Sequence, residues 1–143
     1  MKKYCLLLLL LIGLYHTSSA QSDTDTISNA ALKNYAIYLN QQWKNVPTPL
    51  IATYRGNDFG DYFHIEFEDA DGNFYDFGYG ANNLKKVALY ADNEQFDDNP
   101  EYLNKTFLIF WDWRLTTFPC CEGAYNSYTL ELPSIIRLQL IKE

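Results

Sequence analysis

The sequence has few of the residues on which most catalytic and metal centres depend. Its 143 residues include only 2 histidines and 3 cysteines, whereas zinc sites usually draw on several such ligands. It also lacks a phosphate-binding loop, a dinucleotide-binding fingerprint, a nucleophile elbow and an HExxH motif. These absences favour a protein that is not an enzyme, and they predict neither a cofactor nor a bound metal.

Positive charge is also scarce. The chain has 11 lysines and arginines against 18 aspartates and glutamates, which gives a net charge of −7. An acidic surface repels the phosphate backbone of nucleic acids. We therefore do not expect a nucleic-acid partner.

Long apolar runs are confined to the N-terminus. Lys2 and Lys3 precede an apolar run over residues 6–14, and small residues follow it at 18–20. The run is shorter than the roughly 20 residues that span a bilayer. The pattern is typical of a secretory signal peptide over 1–20, cleaved after Ala20. We expect an exported protein, periplasmic or extracellular, that is not inserted in the membrane after cleavage. A short uncleaved anchor is the alternative.

Only two cysteines, Cys120 and Cys121, follow this leader, and they are adjacent. Adjacent Cα atoms lie about 3.8 Å apart, whereas disulfides usually join Cα atoms about 4.4–6.8 Å apart. A bridge between them would also close almost no loop. The pair leaves open a soft-metal or redox role for the thiols, a crosslink between two chains, or burial as small apolar side chains.

The most regular stretch, residues 60–79, consists of two alternating segments around a turn. A period of two predicts half-buried strands, and Asp71-Gly72 supplies the positive φ angles of a tight hairpin turn. The side chains expected on the core side are Phe63, Ile65, Phe67, Tyr75 and Phe77. The opposite face is then expected to carry His64, Glu66 and Asp76.

One helix is predicted before this hairpin. Apolar residues between Leu32 and Trp43 recur at helical spacing, which predicts a helix over 29–44. Ser28 or Asp25 is the expected cap, and the proline at 47 is expected to stop the helix. The polar residues 21–28 are predicted to form a flexible linker.

Strands are predicted over 50–55, 62–68, 73–79, 106–116, 128–132 and 135–141, with a turn over 56–60. Residues 84–90 fit a short helix and a strand equally well, and Asn99-Pro100 predicts a helical turn. The side chains expected on the inner face of the last long strands are Phe107, Ile109, Trp111, Trp113, Leu115, Ile136, Leu138 and Leu140. Those expected to point outward include Asp112, Arg114 and Arg137.

This order predicts one mainly β domain over 29–143, with an OB-like barrel of five or six strands over 50–143 and an N-terminal helix. A small β-sandwich or a lipocalin-like barrel is the alternative. Residues 60–64 (GDYFH), the Asp71-Gly72 turn, 99–107 (NPEYLNKTF) and 120–123 (CCEG) resemble a group of small exported bacterial proteins, mostly uncharacterised. The resemblance covers about residues 50–143. It implies an OB-like barrel and no particular activity.

Binding sites on OB barrels often lie on the face of strands 2 and 3. The candidate binding residues are Tyr62, His64, Glu66, Phe74, Asp76 and Arg114. The alternative is a solvent-facing sheet with ordinary cross-strand charge pairs. The 3 Trp, 10 Tyr and 9 Phe that remain after the leader are expected to fill the core, and any that are exposed suit a sugar or a protein partner.

The leading hypothesis is therefore an exported, non-enzymatic binding module that recognises a protein or a glycan of the cell envelope. A thiol- or metal-dependent protein centred on Cys120 and Cys121 is one alternative. An inhibitor or immunity-type protein is another.

Overall fold

A computed structural model describes residues 24–60, 62–91, 96–119 and 127–142. The predicted signal peptide over 1–20 and the thiol pair Cys120 and Cys121 lie outside these residues. The elements are one helix, α1 (Thr24–Trp43), and five strands, β1 (Leu50–Phe59), β2 (Phe63–Glu68), β3 (Phe74–Asp76), β4 (Thr106–Pro119) and β5 (Ser127–Leu140). The helix α1 is not apolar enough to cross a membrane.

The strands form one antiparallel sheet in the order β3-β2-β1-β4-β5. The predicted mainly β class is confirmed, but the sheet is not closed into the expected barrel across the residues that the structure describes. β3 has three residues, which pair with β2, and β5 pairs with β4. β3 and β5 therefore remain the two edge strands.

An irregular segment over 77–83 links the two edges instead. The N–H of Phe77 donates to the carbonyl of Ile65 in β2 at 3.0 Å, and the N–H of Asn83 donates to the carbonyl of Ile135 in β5 at 2.7 Å. The side-chain oxygen of Asn82 accepts from the N–H of Ile135 at 2.8 Å. The segment passes so close to β2 that a β-carbon at Gly78 would overlap the carbonyl of Phe63.

The helix α1 begins at Thr24, earlier than the predicted residue 29, and ends at Trp43. Asp25 and Ser28 therefore lie inside the helix and do not cap it. No proline or glycine interrupts residues 21–28. Leu39 and Trp43 are buried, as the helical spacing predicted.

Trp43 joins the helix to the sheet. Its ring meets the rings of Phe77 and Trp111 edge-on, each with a centroid separation of 4.9 Å, and the ring of Tyr75 at 5.7 Å. Edge-to-face aromatic pairs contribute about 0.5–1.5 kcal/mol beyond the area that they bury. The end of α1 is thus fixed over β3 and β4.

The side chains predicted to lie on the core side of the hairpin 60–79 do so. Ile65, Phe67 and Phe77 are buried, and Phe63 and Tyr75 are half-buried against the core. The turn at 69–72 is closed by the N–H of Gly72, which donates to the carbonyl of Asp69 at 3.2 Å, and Gly72 has a φ of 82°.

The predicted turn at 56–60 is wrong in position, because β1 continues to Phe59. Gly56 lies at a β-bulge, where the register with β2 shifts after Tyr54, and its φ is 137°. A bulge inserts an extra residue and bends the strand without ending it. The chain turns only at Gly60, whose N–H donates to the carbonyl of Tyr62 at 3.1 Å.

β4 and β5 form a long hairpin, and Pro133 does not end β5 as expected. An edge strand tolerates proline because only one side of the strand needs ladder hydrogen bonds. The register passes from Phe110↔Arg137 to Trp111↔Ile135, which leaves Ile136 as the extra residue of a bulge. Ile135 is consequently fully buried and Ile136 only half-buried.

Leu115 was also predicted to lie on the inner face, and this prediction is wrong. Its side chain is 69% exposed. Beyond Trp113 the inward positions of β4 belong to Thr116 and Phe118. Thr116 donates to the carbonyl of Tyr79 at 3.4 Å, and the ring of Phe118 lies 5.1 Å from the ring of Tyr79.

Residues 84–90 are neither helix nor strand, apart from a single bridge between Tyr90 and Asp98. The side-chain carboxylate of Asp98 secures the connection between β3 and β4 to β1. One oxygen accepts from the phenol of Tyr54 at 2.6 Å and from the backbone and side-chain N–H groups of Asn57 at 2.9 Å each. We call this network the Asp98 anchor. Residues 99–102 form a turn and no helix follows it: the side-chain oxygen of Asn99 accepts from the N–H of Glu101 at 3.0 Å, and its carbonyl accepts from the N–H of Tyr102 at 3.0 Å.

Candidate functional site

His64 of β2 and Asp76 of β3 form an ion-pair geometry, and both side chains are half-buried. His64 Nδ1 lies 2.8 Å from Asp76 Oδ2. Asp76 Oδ1 accepts from the N–H groups of Ile65 at 3.1 Å and Gly78 at 2.8 Å. The carboxylate is therefore held by the backbone of β2 and of the segment 77–83, and it fixes the orientation of the imidazole through Nδ1.

Three tyrosines surround this pair. The ring of Tyr62 lies 3.8 Å from the ring of His64 and stacks on Tyr79 at 4.2 Å. Burial raises the pKa of the Tyr35 phenol, and the nearby Tyr62 and Asp76 raise it further. A small cavity of about 20 Å³ beside Tyr35, Asp76 and Tyr79 has the size of one water molecule.

The structure places four of the six predicted binding residues next to one another. Tyr62, His64 and Asp76 are in contact, and Glu66 lies opposite Asp76 in the ladder. Phe74 precedes Asp76 by two residues on the same face. Arg114 is on β4, which pairs with β1 and β5 and not with β2 or β3.

The outward charges of the long strands are paired locally. Arg114 lies 3.5 Å from the carboxylate of Asp112, and both side chains are more than half exposed. The guanidinium of Arg137 lies 3.7 Å above the ring of Phe110. Exposed pairs of this kind contribute about 0–1 kcal/mol. We therefore assign these residues to the ordinary surface of the sheet.

A second feature lies between the end of α1 and the edge strand β3. It is a cleft of about 260 Å³, which we call the α1–β3 cleft. Its lining includes Gln42, Trp43 and Asn45 from the helix side and Asn73, Phe74 and Tyr75 from the strand side. The three amide side chains are exposed, and the ring of Phe74 is 63% exposed.

The turn before β3 fixes one wall of this cleft. The Asp69 carboxylate accepts hydrogen bonds from the side chain and backbone of Asn73, from the backbone of Asp71 and from the phenol of Tyr75. The bonds from Asn73 are the main reason that the pKa of Asp69 falls to about 2. Burial, together with the bond to Asp69, raises the pKa of Tyr75 to about 12. Asn73 and Tyr75 are thus held in place.

The sequence did not predict the cleft, apart from Phe74. Gln42 and Asn45 flank Trp43 in the sequence, but only the packing of Trp43 against β3 brings them next to Asn73. Across the described ranges, no group of three His, Cys, Asp or Glu side chains is close enough to hold a metal ion. The arrangement is suited to hydrogen bonding and stacking with a ligand.

No family model, curated protein or solved structure matches this chain at a significant level. The resemblance of residues 50–143 to small exported bacterial proteins therefore stays a prediction. Function has to be inferred from the geometry of the two features just described.

Proposed function

We propose that this protein is an exported, non-enzymatic binding module that recognises a protein or a glycan of the cell envelope. The observation that supports the proposal most directly is the α1–β3 cleft, which is lined by exposed amides and by aromatic side chains, among them Phe74 with 63% exposure. Specific binding sites commonly combine aromatic surface with a few polar groups that fix the orientation of the ligand. Export is supported by the residue pattern of 1–20.

The pair formed by His64 and Asp76 is the strongest argument for catalysis, and its surroundings weaken it. A catalytic dyad acts with a second group that gives or takes a proton. The phenol of Tyr35 shares a small cavity with Asp76. Burial raises the pKa of this phenol, so at neutral pH it can give a proton but cannot accept one. The pair instead ties β2 to β3 beside the cleft.

The test is co-sedimentation of the labelled protein, residues 21–143, with purified fragments of the cell envelope. We expect Phe74→Ala to lower the bound fraction at least about 10-fold, because hot-spot aromatics commonly contribute more than 1 kcal/mol to binding. Leu115→Ala is the matched control, since Leu115 is equally exposed but lies on β4. Equal binding by the two variants, or no binding by the unsubstituted protein, would contradict the proposal.

The same preparation tests the absence of catalysis. His64→Ala removes the imidazole that contacts Asp76, and we expect it to leave envelope binding within about 3-fold, since His64 does not line the cleft. The proposal would be contradicted if the unsubstituted protein turned over envelope components and His64→Ala did not. The protein would then be an enzyme.

A further inference from the structure

We infer that the α1–β3 cleft is a saccharide subsite that takes a neutral sugar unit of one or two rings. The inference rests on the proposed binding function and assigns the chemical class of the ligand. It depends on the types of side chain at the cleft, on the backbone of β3 and on the size of the space.

The polar groups at the cleft match those of sugar hydroxyls. Gln42, Asn45 and Asn73 each carry an amide, which donates through its nitrogen and accepts through its oxygen. One N–H of the Asn73 amide already donates to Asp69. A hydroxyl likewise donates and accepts. The cleft is lined by no aspartate, glutamate, lysine or arginine, although the chain as a whole carries a net charge of −7. A neutral lining favours a neutral polyol over a charged ligand.

The aromatic groups supply the apolar part of such a site. Trp43 lines the cleft, is 6% exposed, and is fixed by its contacts with Phe77 and Trp111. Phe74 is on the edge strand at the rim, and most of its ring is exposed. A rigid aromatic surface gives contact area at low entropic cost, and the C–H face of a sugar ring is the apolar surface that packs against it.

The hydrogen bonds of β3 leave one further pair of polar groups on the cleft side. The N–H of Phe77 donates to β2, and the carbonyl of Asn73 accepts from the N–H of Asp69. Because successive residues of an antiparallel strand direct their backbone groups to opposite sides, the N–H and carbonyl of Phe74 point to the free edge. This residue lines the cleft.

The shortness of β3 disfavours a peptide as the occupant. An added peptide strand gains affinity from a row of main-chain hydrogen bonds along an exposed edge. β3 has three residues. Phe74 and Asp76 direct their backbone groups to the free edge, and of these two only Phe74 lines the cleft. The volume of about 260 Å³ lies just below the roughly 300–1,000 Å³ of small-molecule pockets, which fits one or two sugar rings.

Nuclear magnetic resonance titration of ¹⁵N-labelled protein tests the inference. The probes are maltose, cellobiose and N,N′-diacetylchitobiose, with digalacturonate as the anionic comparison. We expect at least one neutral probe to shift the side-chain amide signals of Gln42 and Asn45, with a dissociation constant on the order of 1 mM for so open a cleft. Gln139, an exposed amide on β5, is the internal control and should not shift.

Variants show whether the shifts report this site. Gln42→Ala and Asn45→Ala change exposed side chains, and each should weaken binding about 10-fold by removing one amide partner. Leu115→Ala should leave the affinity unchanged. The inference is overturned if none of the neutral probes shifts these signals up to about 50 mM, if digalacturonate binds more tightly, or if Gln139 shifts equally.

Treatment of the envelope fragments separates this inference from the proposed function. Periodate cleaves vicinal diols of sugars, whereas a protease removes polypeptide. Loss of Phe74-dependent sedimentation after periodate, but not after protease, supports the saccharide. Loss after protease alone overturns the saccharide and leaves a protein-binding module in place. If sedimentation never depends on Phe74, the proposed function itself fails.

Discussion

The Asp98 anchor and the α1–β3 cleft use polar side chains in opposite ways. At the anchor, one carboxylate oxygen of Asp98 accepts three hydrogen bonds, and the phenol of Tyr54 that donates the shortest of them belongs to a fully buried residue. At the cleft, the amides of Gln42 and Asn45 face solvent. Groups consumed inside the protein maintain the fold, and groups left at the surface are available to a ligand. Substitutions at the two regions should therefore divide into effects on stability and effects on binding.

The largest stability effect is expected at the anchor. Asp98→Ala leaves the buried phenol of Tyr54 and the amide of Asn57 without their acceptor, and we expect it to lower the free energy of unfolding by about 3 kcal/mol. Urea unfolding followed by tryptophan fluorescence measures this. Asp112→Ala is the control, because its partner Arg114 is exposed, and it should change stability by less than about 0.5 kcal/mol. If both variants lost the same free energy of unfolding, Asp98 would be no more important for stability than an exposed aspartate.

A glycine beside Asp98 gives the next effect. Gly56 has a φ of 137°, and an added β-carbon would lie 3.0 Å from Asp98 Oδ2. We expect Gly56→Ala to destabilise the protein by about 2 kcal/mol, because a side chain both strains this backbone and crowds the carboxylate. Gly60→Ala is the control. Its β-carbon would meet nothing closer than 3.9 Å, so a loss as large as that of Gly56→Ala would show that crowding at Asp98 is not the cause.

The anchor also shows why part of the fold could not be predicted from the sequence. Alternation identified the core face of β2 and β3 correctly, since burial of Ile65, Phe67 and Phe77 follows a period of two. Gly56 was interpreted as a turn because glycine supplies positive φ in turns and in bulges alike. Only the approach of Asp98, which is 42 residues further along the chain, distinguishes the two.

Bulges and edges account for the remaining differences. Pro133 was expected to end a strand, but its position on the edge of the sheet depends on the strand order. Because of the bulge at Ile136, the buried core residue is Ile135 and not Ile136. Closure of the barrel depended on a β3–β5 ladder, and local patterns do not report a pairing between edges so distant in sequence.

Part of the candidate site could be predicted from the sequence and part could not. Proximity of His64 to Asp76 was predictable, because a hairpin turn at 69–72 fixes which residues of the two strands are neighbours. The cleft was not predictable, since it combines the end of a helix with a strand thirty residues later. Arg114 was grouped with His64 from its outward facing alone, which carries no information on how many strands lie between them.

The third prediction concerns the pH dependence of stability at Asp69, in the turn that forms one wall of the cleft. The pKa of Asp69 is about 2 in the folded protein, below its ordinary value of 3.8. Its ionised form therefore stabilises the fold above about pH 4, and this contribution is lost as the pH falls from about 4 to about 2. Urea midpoints over this range should fall more steeply in the unsubstituted protein than in Asp69→Asn.

The control for this pH dependence is Asp71→Asn, which changes an exposed aspartate in the same turn. Its midpoints should follow those of the unsubstituted protein. If Asp69→Asn shows the same slope as the control, the four hydrogen bonds at Asp69 do not favour the ionised carboxylate, and the wall of the cleft is not held by charge.

The smallest stability effect is expected where the binding effect is largest. Phe74→Ala removes a ring that is 63% exposed, and surface substitutions of this kind usually change the free energy of unfolding by less than about 0.5 kcal/mol. Leu115→Ala should behave alike. A stable Phe74→Ala variant that no longer sediments with envelope fragments would place the function at the cleft. A loss above about 1 kcal/mol would instead mean that Phe74 belongs with Asp98 among the residues that maintain the fold, because weakened binding would then follow from unfolding of β3.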